Sequence, residues 1–454
     1  MKTNENKIIT KSPGKSLLSG GYLILDKSKR GLVINIDSYI TCESVYKIKQ
    51  KEKQRIKNVI QFKIYSDYLM QNFYYMVSLE PNNNNEFEIK ILEKDNKDNK
   101  WIKNCIISSL IFYLSQFDCS NILFNDKIEL ELEINIQSDY KFYSYSQSHI
   151  SQNIKTGLGS SSAFINSLTS NLILVYENYF HKKNYPKNNV IKNIDDKNIK
   201  AIILGSCLLS NNLSQNKIGS CFDIISSLFG SQIFKQTQQN IFLNSPFLIN
   251  KENISKINNF IEYLKLEYIP NILYFNENSK YSENKIFFIS IEMGSDTRIF
   301  VKKVLEYANV IKKEKLYDDS LFSQLNELNE KIINIFLNDI NKDSKTLKEN
   351  CIKYREILRK ITEESKVDIE PRILTPLLDD LINNENIIYA ICPGAGGYDS
   401  IIIIAKDKIK VSELIKDTES IIKKFNLENQ HKKLNIKAYL MEVNIPKCQG
   451  TIIS

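Results

Sequence analysis

The run Gly157-Leu158-Gly159-Ser160-Ser161-Ser162-Ala163 most constrains what this chain can fold into. It stands directly before a long helical pattern in which Phe164, Leu168, Leu172 and Tyr176 recur at four-residue spacing. Glycine admits backbone conformations closed to other residues and lets a ligand approach closely. The first turn of a helix exposes unpaired N–H groups, which suit phosphate. The serine hydroxyls add donors, and one of them can reach a metal ion that bridges phosphates. No Gly-Lys-Ser/Thr follows in register, so this is not a Walker A loop, and the spacing also fails the GxGxxG dinucleotide fingerprint. Taken alone, the run reads equally well as a structural helix cap.

Three further elements carry chemistry. Asp223 follows Gly219-Ser220 at the start of an apolar helix. An aspartate there can orient a nucleophile or accept its proton in phosphoryl transfer, or it can simply sit in the field of the helix N-terminus. Lys15 follows Pro13-Gly14 behind a strand over Ile8–Thr10. It is suited to stabilising charge on a transferring phosphoryl group or to keeping the aspartate ionised; a solvated lysine is the plainer reading. Gly394-Ala395-Gly396-Gly397 lies between strands Ile387–Ile391 and Ile401–Ala405, with Asp399 after it, either in a turn or facing the site. Three glycines in four residues exceed what a hairpin turn needs and point to close approach of another backbone or a ligand. Two glycine-rich elements, one aspartate and an early lysine are hard to explain jointly as punctuation.

The 454 residues exceed one ordinary core and imply two domains. With 42% hydrophobic and 25% charged residues, wholesale disorder is excluded. The net charge of +8 is spread along the chain without an arginine-rich tail; it favours anionic small substrates and gives no support to nucleic-acid binding. The eight cysteines form no CxxC pair and the three histidines (His149, His181, His431) no ligand cluster, which implies reduced thiols and no structural zinc. No apolar run reaches membrane-spanning length, and Met1–Lys11 lacks the apolar core of a signal peptide. The expectation is a cytoplasmic protein without membrane partners. Thr451-Ile452-Ile453-Ser454 is not a recognisable peroxisomal address.

Local patterns predict further elements. Gly31–Ile36 and Tyr39–Val45 read as two strands, and Lys127–Ile136 as a half-buried strand with alternating Ile/Leu and Glu. Helices are expected over 101–117, 202–209, 224–229, 298–310, 321–338, 345–363, 377–383 and 411–425, and a last strand over 434–443. The polar tracts 46–60 and 81–100 read as surface insertions, and 181–198 as a polar linker. The texture changes near 235–250, which places the domain boundary there.

Together these elements resemble the GHMP small-molecule kinases (galactokinase, homoserine kinase, mevalonate kinase, phosphomevalonate kinase), and among them most the fungal and plant-type phosphomevalonate kinase family. The resemblance rests on Ser12-Pro13-Gly14-Lys15 with Leu17-Leu18-Ser19-Gly20-Gly21-Tyr22-Leu23-Ile24-Leu25-Asp26, on Lys155 to Ser161, on Lys217 to Asp223, and on Pro393 to Asp399. These matches span nearly the whole chain in the family's order. The chain departs from the pattern at Ser162-Ala163 and at Cys221, where a small residue is usual.

The resemblance implies a two-domain α/β (α+β) fold, with an ATP-binding domain over 1–240 and a ferredoxin-like domain over 241–454. It implies ATP and Mg²⁺ as cofactors and 5-phosphomevalonate as the anionic small-molecule partner, in a monomer or weak homodimer. Asp223 and Lys15 would be catalytic. Lys155, Thr156, Gly157, Leu158, Gly159, Ser160, Ser161 and Ser162 would bind ATP, with Ser160 on the metal. Gly20, Tyr22, Lys217, Gly219, Ser220, Arg298, Gly394, Ala395, Gly396 and Gly397 would bind the acceptor. Another kinase of this superfamily, or a nucleotide and metabolite sensor without activity, is the alternative.

Overall fold

The computed structural model describes residues 6–48, 59–67, 69–82, 86–94, 98–116, 129–144, 154–181, 189–243, 245–274, 285–291, 297–313, 320–431, 438–446 and 450–453. The side chains of the expected site residues Lys155 and Arg298 lie outside them.

The first lobe begins with two long antiparallel strands, β1 (Asn6–Ser19) and β2 (Arg30–Ile48). Here the structure differs from the sequence reading. Pro13-Gly14-Lys15 does not leave the strand, and the two strands expected over 31–45 are one. The reason is long-range pairing: register shifts at Pro13/Gly14 and Leu17/Ser19 absorb the proline and let β1 continue. Strands β3 (Val59–Ser66), β4 (Gln71–Pro81), β5 (Phe87–Glu93) and β6 (Glu129–Ser138) extend the sheet. In β6 the alternation predicted from sequence is realised, with Leu130, Leu132, Ile134 and Ile136 all buried. Strand β5 lies inside a tract expected to be a surface insertion. It buries only Ile89 on one face and owes its place to pairing with β4. A ribbon of β7 (Tyr143–Ser144) and β8 (Ile154–Lys155) and the short strand β9 (Asn189–Val190) follow, then β10 (Gln232–Lys235), β11 (Leu248–Ile249) and β12 (Leu273–Tyr274).

Helices α1 (Lys100–Leu114), α2 (Ser160–His181), α3 (Lys197–Gln215) and α4 (Phe222–Phe229) cover one face of this sheet, and α5 (Lys251–Tyr263) packs beside α3. Asn99 and Asp196 cap α1 and α3 by accepting backbone N–H bonds, and α3 ends on left-handed Asn216. Helix α2 is buried on nearly every side up to Glu177. It docks on the sheet through polar side chains. Ser167 and Thr10 exchange hydroxyl-to-carbonyl bonds of 3.0 and 2.7 Å, and the Asn171 amide donates to the carbonyls of Ile8 and Cys42, both at 3.1 Å. These bonds fix the height of α2, and therefore of the glycine loop at its N-terminus, against β1.

The second lobe holds β13 (Ile286–Ile291), α6 (Thr297–Lys313), α7 (Leu321–Leu337), α8 (Ser344–Ser365), α9 (Thr375–Asn383), β14 (Ile387–Ile391), β15 (Ser400–Ala405), α10 (Val411–His431) and β16 (Ala438–Val443). Its antiparallel sheet runs β14-β15-β13-β16, the strand order of a ferredoxin-like unit with extra helices in the first crossover. The chain then returns to the first sheet as β17 (Ile452–Ile453), which pairs with β1 and β9. The first sheet thus extends past residue 240 on both counts, through β11, β12 and β17, because strand pairing ignores the change of texture seen in the sequence. No helix of the described residues is long and apolar enough to cross a membrane.

Candidate active site between the two lobes

Lys15 is half-buried on β1, opposite Asn35 of β2. Its backbone N–H donates to the Leu158 carbonyl at 2.8 Å, which clamps the glycine loop to the strand. Gly159 has φ +81°, and a Cβ there would meet Lys15 Cε at 2.6 Å. Only glycine lets the lysine stem cross the loop at this point. The ammonium sits 4.9 Å from the centre of the Phe222 ring, a cation–π distance. Burial pushes the Lys15 ammonium below the ordinary lysine range, while the carboxylates of Asp223 and Asp399 pull it back up.

Asp223 stands in the first turn of α4, next to Cys221, whose left-handed backbone (φ 57°) turns the chain into the helix. The Cys221 thiol is buried against Asn211, Asn212 and the Gly219 carbonyl, and burial first, then Asp223, pushes it up to about 12. It is therefore a packing residue and not a thiolate. Lys217 is exposed just beyond α3, and Gly219 and Ser220 are half-buried between it and Asp223.

The loop before β15 closes the arrangement from the second lobe. A Cβ on Gly157 would lie 3.5 Å from Asp399 Cβ, so Asp399 borders the glycine loop as well as Lys15. The Gly394 N–H donates to the Leu17 carbonyl at 3.0 Å, and the Tyr22 hydroxyl donates to the Ala395 carbonyl at 2.7 Å. Gly20 donates its N–H to the Tyr354 hydroxyl at 3.0 Å.

In the glycine loop, Ser160 is buried at the first position of α2 and Ser161 is half-buried. The Ser162 hydroxyl donates to the Gly159 carbonyl at 2.8 Å and so braces the loop from within. Thr156 is buried and bonded to Lys141 and Phe142, behind the loop rather than in it. The first-turn N–H groups of a 22-residue helix thus stand beside a half-buried ammonium, an arrangement that suits a polyphosphate.

Four segments far apart in sequence therefore meet: Lys15, Gly157–Ser162, Asp223 with Phe222, and Gly394–Asp399. Tyr354, Ile369 and Asn35 support them without any motif in the sequence. Phe222 adjoins Asp223, and its aromatic ring was the available signal for a cation's neighbour. A groove of about 360 Å³ on the other face of the first sheet, lined by Lys63, Tyr65 and Glu133 among others, shares no residue with these segments.

No family model matches the chain. A phosphomevalonate kinase of Candida albicans is 24% identical over 423 residues, covering 87% of this chain and 88% of that protein. One from Aspergillus fumigatus is 28% identical over 270 residues; there the match takes in 58% of this chain and about half, 52%, of the relative. Among solved structures, the Lin0012 protein of Listeria innocua superposes over 99% of both chains at 18% identity with a TM-score of 0.60. The mevalonate kinase of Methanococcus jannaschii does so over 98% of this chain and 100% of its own, at 16% identity and a TM-score of 0.50. The chain is thus similar in sequence to phosphomevalonate kinases and in fold to a mevalonate kinase. Its mixed α/β architecture with two sheet systems is the bilobed GHMP-kinase fold. In that fold the glycine loop opening α2 belongs to the first lobe and the loop before β15 to the second, so the segments above line the junction of the lobes.

Proposed function

We propose that this GHMP-kinase relative is a phosphomevalonate kinase, which transfers the γ-phosphoryl group of ATP to (R)-5-phosphomevalonate to give (R)-5-diphosphomevalonate and ADP. The observation that carries the reading is the placement of Lys15 between the glycine loop, Asp223 and Asp399. Relatives bearing the phosphomevalonate kinase name match over most of this chain, which favours that acceptor.

In this reading an acceptor phosphate oxygen attacks the γ-phosphorus, and the bond to the β,γ-bridging oxygen breaks to release ADP. A phosphate monoester loses its second proton near pH ~6, so the acceptor is already largely dianionic at neutrality. Asp223 then has little need to remove a proton. Its carboxylate instead keeps Lys15 charged, and Lys15 neutralises the charge that builds between donor and acceptor. Gly157 to Ser162 cradle the ATP phosphates, with Lys155 before the loop and Thr156 bracing it from behind. Ser160, buried at the helix start, would hold Mg²⁺, which supplies charge neutralisation at the phosphates. Lys217, Gly219, Ser220 and Arg298 bind the acceptor, with Gly20, Tyr22 and Gly394 to Gly397 as the far wall.

The test is ADP release from the purified protein with Mg·ATP and, separately, 5-phosphomevalonate, mevalonate or galactose. Turnover is expected with 5-phosphomevalonate alone and is lost in Asp223→Ala. Preference for mevalonate or galactose would overturn the acceptor while leaving the kinase chemistry. ATP binding without turnover of any acceptor would overturn the enzyme reading.

A further inference from the structure

One buried charge cluster plays no part in the chemistry above. Arg355 of α8 is 1% exposed and Glu370, beyond the end of that helix, is 2% exposed. The guanidinium donates from Nε to Glu370 Oε2 at 3.0 Å and from Nη2 to Glu370 Oε1 at 2.8 Å, with a further bond from Nη2 to Asp379 at 2.7 Å. Glu370 Oε1 also accepts from Arg359 Nη1 at 3.1 Å and from the Thr375 hydroxyl at 3.3 Å. Such a pair is a poor explanation of stability, because desolvation offsets its attraction and matched apolar side chains often serve as well. What a planar, two-pronged guanidinium does supply is direction.

The direction is handed to the loop before β15. The peptide joining Ile369 to Glu370 is held at both ends. Its N–H donates to the Thr362 hydroxyl at 3.2 Å, and its carbonyl accepts from the Gly397 N–H at 3.0 Å. A Cβ on Gly396 (φ +74°) would lie 2.0 Å from that carbonyl oxygen, so the loop rests directly on it. The Tyr398 hydroxyl adds a bond to Asp368 at 3.0 Å. Residue 354, next to Arg355 on the same helix, is the tyrosine that receives the Gly20 N–H. The same helix α8 therefore touches the end of β1 in the first lobe, at Gly20, and through Glu370 braces the Gly394–Gly397 loop of the second.

We propose that Arg355 and Glu370 are positioning residues: their ion pair orients the Ile369–Glu370 peptide and thereby sets where Gly394 to Gly397 meets the acceptor. The acceptor part rests on the kinase reading above; the positioning part does not.

The experiment replaces both charges at similar volume, Arg355→Met with Glu370→Leu, in the full chain. Hydrogen exchange at Gly397 and Tyr398 is expected to quicken by about tenfold or more, while amides of β13 and β15 keep wild-type rates. The KM for 5-phosphomevalonate is expected to rise by about tenfold with the KM for ATP unchanged. Wild-type exchange at Gly397 together with a wild-type acceptor KM would overturn the proposal. If the double variant fails to fold, Thr362→Val decides, since it removes the partner of the Glu370 N–H without touching a charge. Faster exchange at Gly397 supports the proposal there, and unchanged exchange overturns it. Should the wild-type protein not turn over 5-phosphomevalonate, the functional reading falls, and the exchange measurements still test the positioning by themselves.

Discussion

Lys15 is held between opposing demands. Burial favours its neutral form, and Asp223 and Asp399 favour the ammonium. Because burial is the larger influence, the proton leaves at a pH below the ordinary lysine range as pH rises. A reaction that needs the ammonium should therefore show an alkaline limb in kcat/KM below that range. Asp399→Asn removes one of the two influences that raise the pKa, so the limb should move to lower pH. A pH–rate profile whose limb stays in place would show that Asp399 does not act on Lys15. Lys15 and Asp223 were legible in the sequence because each sits in a short run of small residues that only close packing explains. Asp399 follows the glycine-rich run 394–397, but its role stayed open between a turn and the site, because Lys15 lies 384 residues away along the chain.

At the scale of elements, the placement of α4 decides whether Asp223 reaches Lys15. Asn35 is fully buried opposite Lys15. Its amide donates to the Ser226 carbonyl of α4 at 3.0 Å, and its Oδ1 accepts the Gly450 N–H at 2.9 Å. Next to it, the Ser227 hydroxyl donates to the Pro13 carbonyl at 2.6 Å and the Thr451 N–H to the Leu228 carbonyl at 2.9 Å. Asn35→Leu would leave the buried Gly450 N–H without its partner, at about 1–3 kcal/mol, and would cut the tie from β2 to the Ser226 carbonyl, which keeps only the Gly230 N–H. A lower urea midpoint is expected, together with a fall in kcat from the loosened α4; a variant as stable and active as wild type would remove Asn35 from this role. Elements defined by their own pattern, such as β6, α8 and α10, were read correctly from sequence. Those settled by a distant partner were not: β5 and α5 carry short apolar patterns inside tracts dominated by Asn and Lys and take their places from β4 and α3, and β17 is two residues long and takes its place from β1.

At the scale of the molecule, a run of consecutive residues, Leu17 to Tyr22, bonds the first lobe to the second, and Asp37 adds bonds to Asn444. The Leu17 carbonyl accepts from Gly394, the Leu18 carbonyl from the Tyr389 hydroxyl at 2.7 Å, and Ser19 donates to Asn329 at 2.8 Å, beside the Gly20 and Tyr22 bonds to the second lobe. Asn329 of α7 is fully buried and also donates to the Arg30 carbonyl at 2.9 Å, next to the Arg30–Glu330 ion pair. Consecutive bonds of this kind make the first lobe's β1 a structural part of the second, so the lobes should unfold together. Calorimetry of the wild-type protein should show one transition. Asn329→Leu keeps the volume but orphans the Ser19 hydroxyl and the Arg30 carbonyl, about 1–3 kcal/mol each, and should lower that transition. Two resolved transitions in the wild type would mean that the Leu17–Tyr22 stretch does not couple the lobes. In that case Asn329→Leu would move only one of them, and the approach of Gly394 to Lys15 would depend on a junction free to open.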